Sequence, residues 1–292
     1  MIDILITVAG FLAVVLLWVM IYDSNRFVIR EHTVMDRRIR KSCRAVVLSD
    51  LHNKRYGKNN EKLLGAIRSA RPDFVLIAGD ILTAKPKASM EPALELLGEL
   101  AKDYPVYYGN GNHEHRLKLY PQSYGDMADR YREALKQIGI EPLVNSHANL
   151  PDLGITIYGC EIDKLFFRHF RTQDMKPDYM RGLLGQASDR TYTVLLAHNP
   201  DYFPQYADWG ADMVLSGHVH GGVARVPFWG KGVLSPALRL FPKYDGGIYR
   251  EGNAIMILSR GLGTHTIPIR VFNPAELWVV DFLTDCDGSC DR

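Results

Sequence analysis

An α/β domain set behind one apolar N-terminal helix is the fold the sequence predicts, on three observations. Short apolar runs of strand length alternate with stretches whose apolar residues recur at helical spacing. Several of those runs end in polar clusters built from Asp, His and Asn. Residues 4–22 are uncharged and almost wholly apolar.

At 1.5 Å per residue, the run at 4–22 reaches across most of a bilayer core. It reads as a transmembrane anchor and not as a cleaved signal. No Lys or Arg precedes it, it is long for the apolar part of a signal, and no small-residue cleavage site follows. Only Asp3 precedes the run, whereas Arg26, Arg30, Arg37, Arg38, Arg40 and Lys41 follow it, an asymmetry that places the C-terminal side in the cytoplasm. The expectation is a single-pass protein of the cell membrane with a cytoplasmic catalytic domain. The basic stretch would also attract anionic headgroups. The chain divides into an anchor at 1–23, a basic juxtamembrane segment at 24–43, a domain at 44–283 and a flexible tail at 284–292.

Within the domain, 44–49 reads as a buried strand running into Asp50-Leu51-His52. A helix is predicted over 60–70, a strand over 74–78 ending in Gly79-Asp80, a helix over 90–101, and a strand over 106–108 followed by Gly111-Asn112-His113-Glu114. Strands at 155–159, 193–197 and 213–216 follow; the last two end in His198 and in Gly217-His218-Val219-His220. Strands at 254–259 and 277–282 point to a second sheet packed on the first. In such folds ligands bind beyond the carboxyl ends of the strands, so five distant segments would converge on one site.

Composition narrows the function. With 292 residues, 47% hydrophobic and 23% charged, and no Pro/Ser/Gly-rich linker after residue 45, the chain reads as one globular domain. A net charge of +2 gives no footprint for nucleic acid, and no nucleic-acid partner is expected. Cys43, Cys160, Cys286 and Cys290 are too sparse for a disulfide scaffold and read as free thiols. Cys286 and Cys290 stand among Asp285, Asp287 and Asp291, but without a nearby His or second Cys pair they read as a solvated terminus.

Taken singly, a buried Asp caps a helix and a lone His makes a structural hydrogen bond. Together, Asp50, His52, Asp80, Asn112, His198, His218 and His220 supply carboxylate, amide and imidazole donors, a set suited to divalent Zn, Mn or Fe and poorly suited to Ca. Seven ligands exceed what one tetrahedral ion needs. With Asp80 as a bridge they divide into two sites of about four ligands each.

The motifs D-x-H at 50–52, G-D at 79–80, G-N-H-E at 111–114, His198 and G-H-x-H at 217–220 resemble those of calcineurin-like metallophosphoesterases in order and context. The stretches at 217–222 and 259–263 look like the bacterial branch with an N-terminal membrane anchor, and that branch looks similar to enzymes that cleave the pyrophosphate of UDP-diacylglucosamine. The resemblance implies a four-layer sandwich of two mixed β-sheets flanked by helices. It also implies a dinuclear centre of divalent Mn, Fe or Zn, with Asp50, His52, Asp80 and His220 on one ion and Asp80, Asn112, His198 and His218 on the other. His113 is implied as the catalytic acid that protonates the departing oxygen, and Glu114 as a supporting or helix-start residue. Asn53, Val219 and Val223 depart from the usual pattern without touching the proposed ligands.

Further residues are candidates for substrate contact. Arg260 and His265 flank a Gly-rich turn able to admit a phosphate, and Arg116 could pair with one. His32 and His147 read as surface residues, His115 and His169 as pocket residues. Phe166, Phe167 and Phe170 cluster with Arg168, His169 and Arg171, a composition that suits an amphiphile, and residues 164–172 are expected to form a flap beside the metals. The expected substrate is a phosphorylated small molecule or a lipid-linked phosphodiester or pyrophosphate at the membrane. The alternatives are a general phosphodiesterase or phosphatase acting on soluble nucleotides, and a non-catalytic metal-binding scaffold.

Overall fold

The run FVLIA at Phe74–Ala78 is buried at every position, as expected of a strand covered on both faces. Around it the chain builds, in order, α1 (Ile2–Ser24), β1 (Phe27–Asp36), β2 (Cys43–Leu48), α2 (Glu61–Ala70), β3 (Phe74–Ala78), α3 (Glu91–Asp103) and β4 (Val106–Gly109). There follow α4 (Asn112–Leu119), α5 (Pro121–Tyr124), α6 (Met127–Gln137), β5 (Pro142–Leu143), β6 (Ser146–Leu150), β7 (Ile155–Cys160), α7 (Tyr179–Leu184), β8 (Tyr192–Ala197), α8 (Phe203–Trp209), β9 (Met213–Ser216), β10 (Gly247–Glu251), β11 (Ala254–Leu258) and β12 (Ala275–Thr284). The computed structural model describes residues 1–167, 173–235, 238–264 and 268–285.

The strands form two six-stranded mixed sheets, ordered β1-β12-β2-β3-β4-β5 and β10-β11-β9-β8-β7-β6. Three apolar clusters define four layers. One joins β3 to the buried stripes of α2, α3 and α6, through Leu63, Ile67, Leu96, Leu100, Tyr131 and Leu135. The second lies between the sheets, where Val47 and Leu76 meet Ile157, Val194 and Leu215. The third packs the outer face of the second sheet on α8 through Phe203 and Tyr206. The parallel strands β2, β3 and β4 of one sheet, and β8 and β9 of the other, carry the polar clusters at their carboxyl ends.

Two expectations need correction. The strand predicted at 277–282 does not join the second sheet: β12 enters the first, parallel to β1 and antiparallel to β2. It is buried from Ala275 to Val280, so it needs cover on both faces and finds it between the first and second clusters. The basic juxtamembrane segment at 24–43, expected to lie outside the domain, supplies an edge strand to it, because β1 pairs with β12 from Phe27↔Ala275 to Asp36↔Thr284. Several of its bases are engaged there: Arg26 with Asp23, Arg30 with Glu276, and Arg38 with both Asp36 and Asp212.

Helix α1 is 23 residues long with a mean hydropathy of 2.9 over its most apolar window, or about 34 Å against a bilayer core of about 30 Å. Most of its side chains are exposed, with only Val19 and Asp23 buried, so α1 is not a core helix of the domain. Its last turn is nonetheless fastened. Asp23 accepts from the backbone N–H of Asn273 at 3.0 Å, and the Ser24 hydroxyl accepts from that of Arg270 at 3.2 Å.

Candidate metal centre

Each candidate ligand stands just past a strand: Asp50 and His52 after β2, Asp80 after β3, Asn112 at the start of α4 after β4, His198 after β8, and His218 and His220 after β9. The seven therefore come from both sheets. Asp50, His52, Asp80, His218 and His220 all have φ between 50 and 72°, a left-handed conformation costing of order 1–3 kcal/mol for a non-glycine residue. Five such residues together rival the net stability of a domain, roughly 5–15 kcal/mol. Such strain persists only where the surroundings over-determine it, and it is concentrated at functional sites.

The side chains converge in three overlapping groups: Asp50, His52 and His220; His52, Asp80 and His113; Asp80, His198 and His218. Within each group the candidate donor atoms lie within 4.8 Å of one another. His52 Nε2 and His220 Nε2 are 3.1 Å apart, close to the ~3.3 Å edge of a tetrahedral imidazole site. Asp80 Oδ2 is 3.0 Å from His198 Nε2 and 3.9 Å from His52 Nε2, so one carboxylate oxygen faces both ends of the cluster.

The electrostatics call for positive charge. Burial pushes the Asp50 carboxyl up to about 6, with His198 opposing the rise and Asp80 adding to it. At Asp80, burial is outweighed by the neighbouring imidazoles, His198 above all, and the carboxyl sits well below its ordinary range. Burial opposes charge on His198 too, yet Asp80 and Asp50 hold its imidazole up at about 10. Two carboxylates in a water-poor site thus draw cationic character onto whatever stands between them.

A second ring of contacts fixes the first. Asp50 accepts from Ser49 Oγ at 2.5 Å and from the His218 backbone N–H at 2.9 Å, and Asp80 accepts from the His113 N–H at 2.8 Å. His198 Nδ1 is 2.7 Å from the Ala78 carbonyl; a proton donated there leaves the Nε2 lone pair facing the site. Glu114 closes a capping box on the Gly111 N–H at 2.9 Å and also accepts from the N–H groups of Asp80 and Ile81 and from the Tyr108 hydroxyl. It therefore ties the loop after β3 to the start of α4. A side chain at position 217 would collide with Asp50 Oδ2 and Ser49 Oγ, which is why Gly217 precedes the G-H-x-H histidines.

The remaining candidates separate. Phe167 stands edge-on to His218, with ring centroids 5.3 Å apart, and lines a cleft of about 380 Å³ with Asn112, His115, Arg116, Tyr120 and Lys164. Phe166 instead packs between Tyr179 and Tyr202. Arg260 is engaged by the buried Glu276, at 3.3 Å. Arg168, Phe170 and His265 lie outside the described residues. His115 stands 3.7 Å from Glu161, whose carboxylate also takes Asn110 and Lys118.

Sequence reasoning passed over Asn110, Asn199 and Asn273. Asn199 donates to the Phe166 carbonyl at 2.9 Å, and Asn273 to that of His220 at 2.7 Å. The first two adjoin singled-out motifs, which is a usable signal; Asn273 has none.

The donor set fits divalent ions on one further observation. Asn112 Oδ1 is buried with no hydrogen-bond partner among the described residues, a costly state for an amide oxygen unless a cation takes it.

The family model for calcineurin-like phosphoesterases matches residues 43–222. Relatives include the uncharacterized metallophosphoesterase YkuE of Bacillus subtilis, 27% identical over 259 residues, covering 85% of this chain and 83% of that protein. An uncharacterized metallophosphoesterase of Campylobacter jejuni is 26% identical over 254 residues, covering 83% of this chain and 60% of that longer protein. Among solved structures, TT1561 of Thermus thermophilus aligns with 76% of this chain and 91% of its own at 10% identity, with a TM-score of 0.48. With a matched span of more than half its length, and strand ends that gather carboxylates and imidazoles around one point, this chain belongs to the calcineurin-like phosphoesterase family and is a metal-dependent phosphoesterase.

Proposed function

We propose that this phosphoesterase is held at a membrane by α1 and hydrolyses a phosphodiester or pyrophosphate bond in a lipid-linked substrate. In this reading Asp50, His52, Asp80 and His220 hold one divalent ion, Asp80, Asn112, His198 and His218 a second, and the ions are Mn, Fe or Zn. When bound, the pair supplies Lewis acidity toward phosphoryl oxygens and a nucleophilic water near neutral pH. Asp80 sets the spacing of the two halves, and Glu114 and Ser49 hold the carboxylates in place. His113 presents its Nε2–H to an oxygen of the reacting phosphoryl group. Arg116 and Lys164 line the cleft beside Asn112 and take the negative charge of the substrate's phosphate groups. Lys164, Leu165 and Phe167 wall that cleft, with Phe167 against His218; residues 168–172 of the expected flap lie outside the described residues.

The observation that carries the lipid-linked reading is Asn273, which donates its backbone N–H to Asp23 in the last turn of α1 and its side-chain amide to the carbonyl of His220. One residue joins the apolar helix to a candidate ligand. A substrate arriving along a bilayer surface would therefore meet the centre close to where the chain leaves the membrane. The domain takes the cytoplasmic side, since Arg26, Arg30, Arg37, Arg38, Arg40 and Lys41 follow the apolar run and no Lys or Arg precedes it. The likeness of 217–222 and 259–263 to the anchored branch makes UDP-diacylglucosamine the first substrate to try.

A second reading, a phosphodiesterase or phosphatase for soluble nucleotides, is favoured by the cationic rim of the same cleft, where Arg116 and Lys164 stand beside Tyr120. Turnover of UDP-diacylglucosamine, cyclic nucleotides and simple monoesters by Mn-loaded full-length protein in nanodiscs separates the two. The lipid-linked reading expects the highest kcat/KM on the acylated pyrophosphate. A higher kcat/KM on a soluble nucleotide would replace it with the second.

A further inference from the structure

Eleven large apolar side chains C-terminal to α1 are exposed among the described residues, and five of them, Phe228, Trp229, Leu238, Leu240 and Phe241, fall in the stretch 228–241. The Trp229 and Phe241 ring centroids are 5.8 Å apart, so two ends of the stretch share one patch. The backbone folds there as a narrow ribbon: Arg225 pairs with Gly232 and Leu234 with Leu240, both antiparallel. Val226 donates to Lys231 at 2.8 Å and Phe241 to Val233 at 3.0 Å. Buried Arg225 pins the base of the ribbon, donating to the carbonyls of Gly221 at 3.2 Å and Asp245 at 2.6 Å. The ribbon is therefore fixed to the loop that carries His218 and His220.

An exposed apolar patch of this kind marks a contact surface, and two observations say with what. The first is charge. Residues 224–244 contain Arg225, Lys231, Arg239 and Lys243 and no Asp or Glu. Arg225 and Lys231 are held by Asp245 and Arg239 by Asp201, which leaves Lys243, over the Tyr244 ring, as the base beside the exposed Phe and Trp rings. Aromatic rings with a base at their edge suit the boundary between headgroups and acyl chains of an anionic bilayer. The second is position. Ala224 pairs with Val271, and the Arg225 backbone N–H donates to the Val271 carbonyl at 3.0 Å. The neighbouring Arg270 and Asn273 fasten Ser24 and Asp23 at the end of α1. The ribbon thus leaves the domain from the same strip that receives the apolar helix, and three residues from Arg225 to Phe228 extend about 10 Å.

We propose that residues 226–235 and 238–241 form a second membrane contact, seating Phe228, Trp229, Leu240 and Phe241 in the interfacial layer of an anionic bilayer on the side where α1 enters it. This rests on the reading of α1 as a membrane span. A single helix leaves the domain free to swivel, whereas two contacts fix its orientation and turn the loop at 217–222 toward the headgroups.

The test uses the full chain with Cys286 and Cys290 replaced by serine, in phosphatidylcholine nanodiscs with and without phosphatidylglycerol. Single cysteines from Val14→Cys, Phe228→Cys, Trp229→Cys and Lys136→Cys carry an environment-sensitive fluorophore, read with a nitroxide on the lipid and a nitroxide in the water. The labels at 228 and 229 should be quenched by the lipid-borne nitroxide at least about threefold more than the label at 136, and more strongly with phosphatidylglycerol present. A quenched label at 14 beside labels at 228 and 229 as open to water as that at 136 overturns the second contact and leaves the span standing. Quenching at 228 and 229 but not at 14 keeps the contact and removes the span. Labels at 228 and 229 hidden from both nitroxides mean that protein covers the ribbon, which also overturns the proposal.

Discussion

The backbone N–H of Ala84 donates to Nδ1 of His113 at 2.7 Å. A ring nitrogen that accepts a hydrogen bond carries no proton, so the neutral ring bears its proton on Nε2, which lies 4.0 Å from Asp80 Oδ2. An imidazolium would need a second proton on Nδ1, facing the Ala84 donor, at a cost of about 1–3 kcal/mol. The geometry favours a donor that keeps its proton over the acid expected from the resemblance. His113→Ala should lower kcat by roughly 10²–10³, to the same degree on ethyl and nitrophenyl esters, with His113→Gln recovering part of the loss. A loss concentrated on the ethyl ester would restore the acid.

Glu114 meets four backbone N–H groups with its two oxygens. In Glu114→Gln the amide nitrogen, however it turns, faces at least one of those donors. The Asp80 loop then loses its tie to α4, and divalent-metal affinity should fall roughly 10–100-fold, as read by titration against a competing chelator. Unchanged affinity would mean that Asp80 is positioned without Glu114.

The flap makes a prediction that distinguishes neighbours. Phe167 faces His218 and the cleft, whereas Phe166 packs between Tyr179 and Tyr202. Phe167→Ser should raise KM for an acylated substrate and leave a small nitrophenyl diester almost untouched. Phe166→Ser should lower thermal stability instead, as loss of a packed aromatic does. Identical effects of the two changes would remove the distinction.

Much of this was legible in the sequence, and the reason is burial. The strands at 74–78 and 213–216 are covered on both faces, so their apolar runs stand out at the boundaries the structure has. The seven candidate ligands were readable because their chemistry is unlike that of the strands they follow. What stayed hidden depends on partners far along the chain. The sequence FVIREHTVMD of β1 gives no strong strand signal at a sheet edge, and its partner β12 lies some 250 residues away. The left-handed backbone at Asp50, Asp80 and His220 has no pattern of its own. Asn273 acts through hydrogen bonds to two segments, 250 and 53 residues before it in the chain.

Orientation across the membrane is open to thiol chemistry, because the endogenous thiols among the described residues are silent. Burial pushes the Cys43 thiol up to about 12 and raises that of Cys160 further, so neither forms thiolate near pH 8. In a Cys286→Ser, Cys290→Ser background, Lys136→Cys on α6 should resist a membrane-impermeant maleimide on intact cells and react after lysis. Labelling of intact cells would place the domain outside.

Asp80 is the residue on which the dinuclear reading turns, since its carboxylate faces both His52 and His198. The direct measurement is metal content per chain by elemental analysis, taken together with hydrolysis of a nitrophenyl phosphodiester, for the native chain and for Asp80→Ala. The account predicts two divalent ions per native chain, fewer than one in the variant, and loss of nearly all hydrolysis. Two ions and full turnover in Asp80→Ala would contradict it.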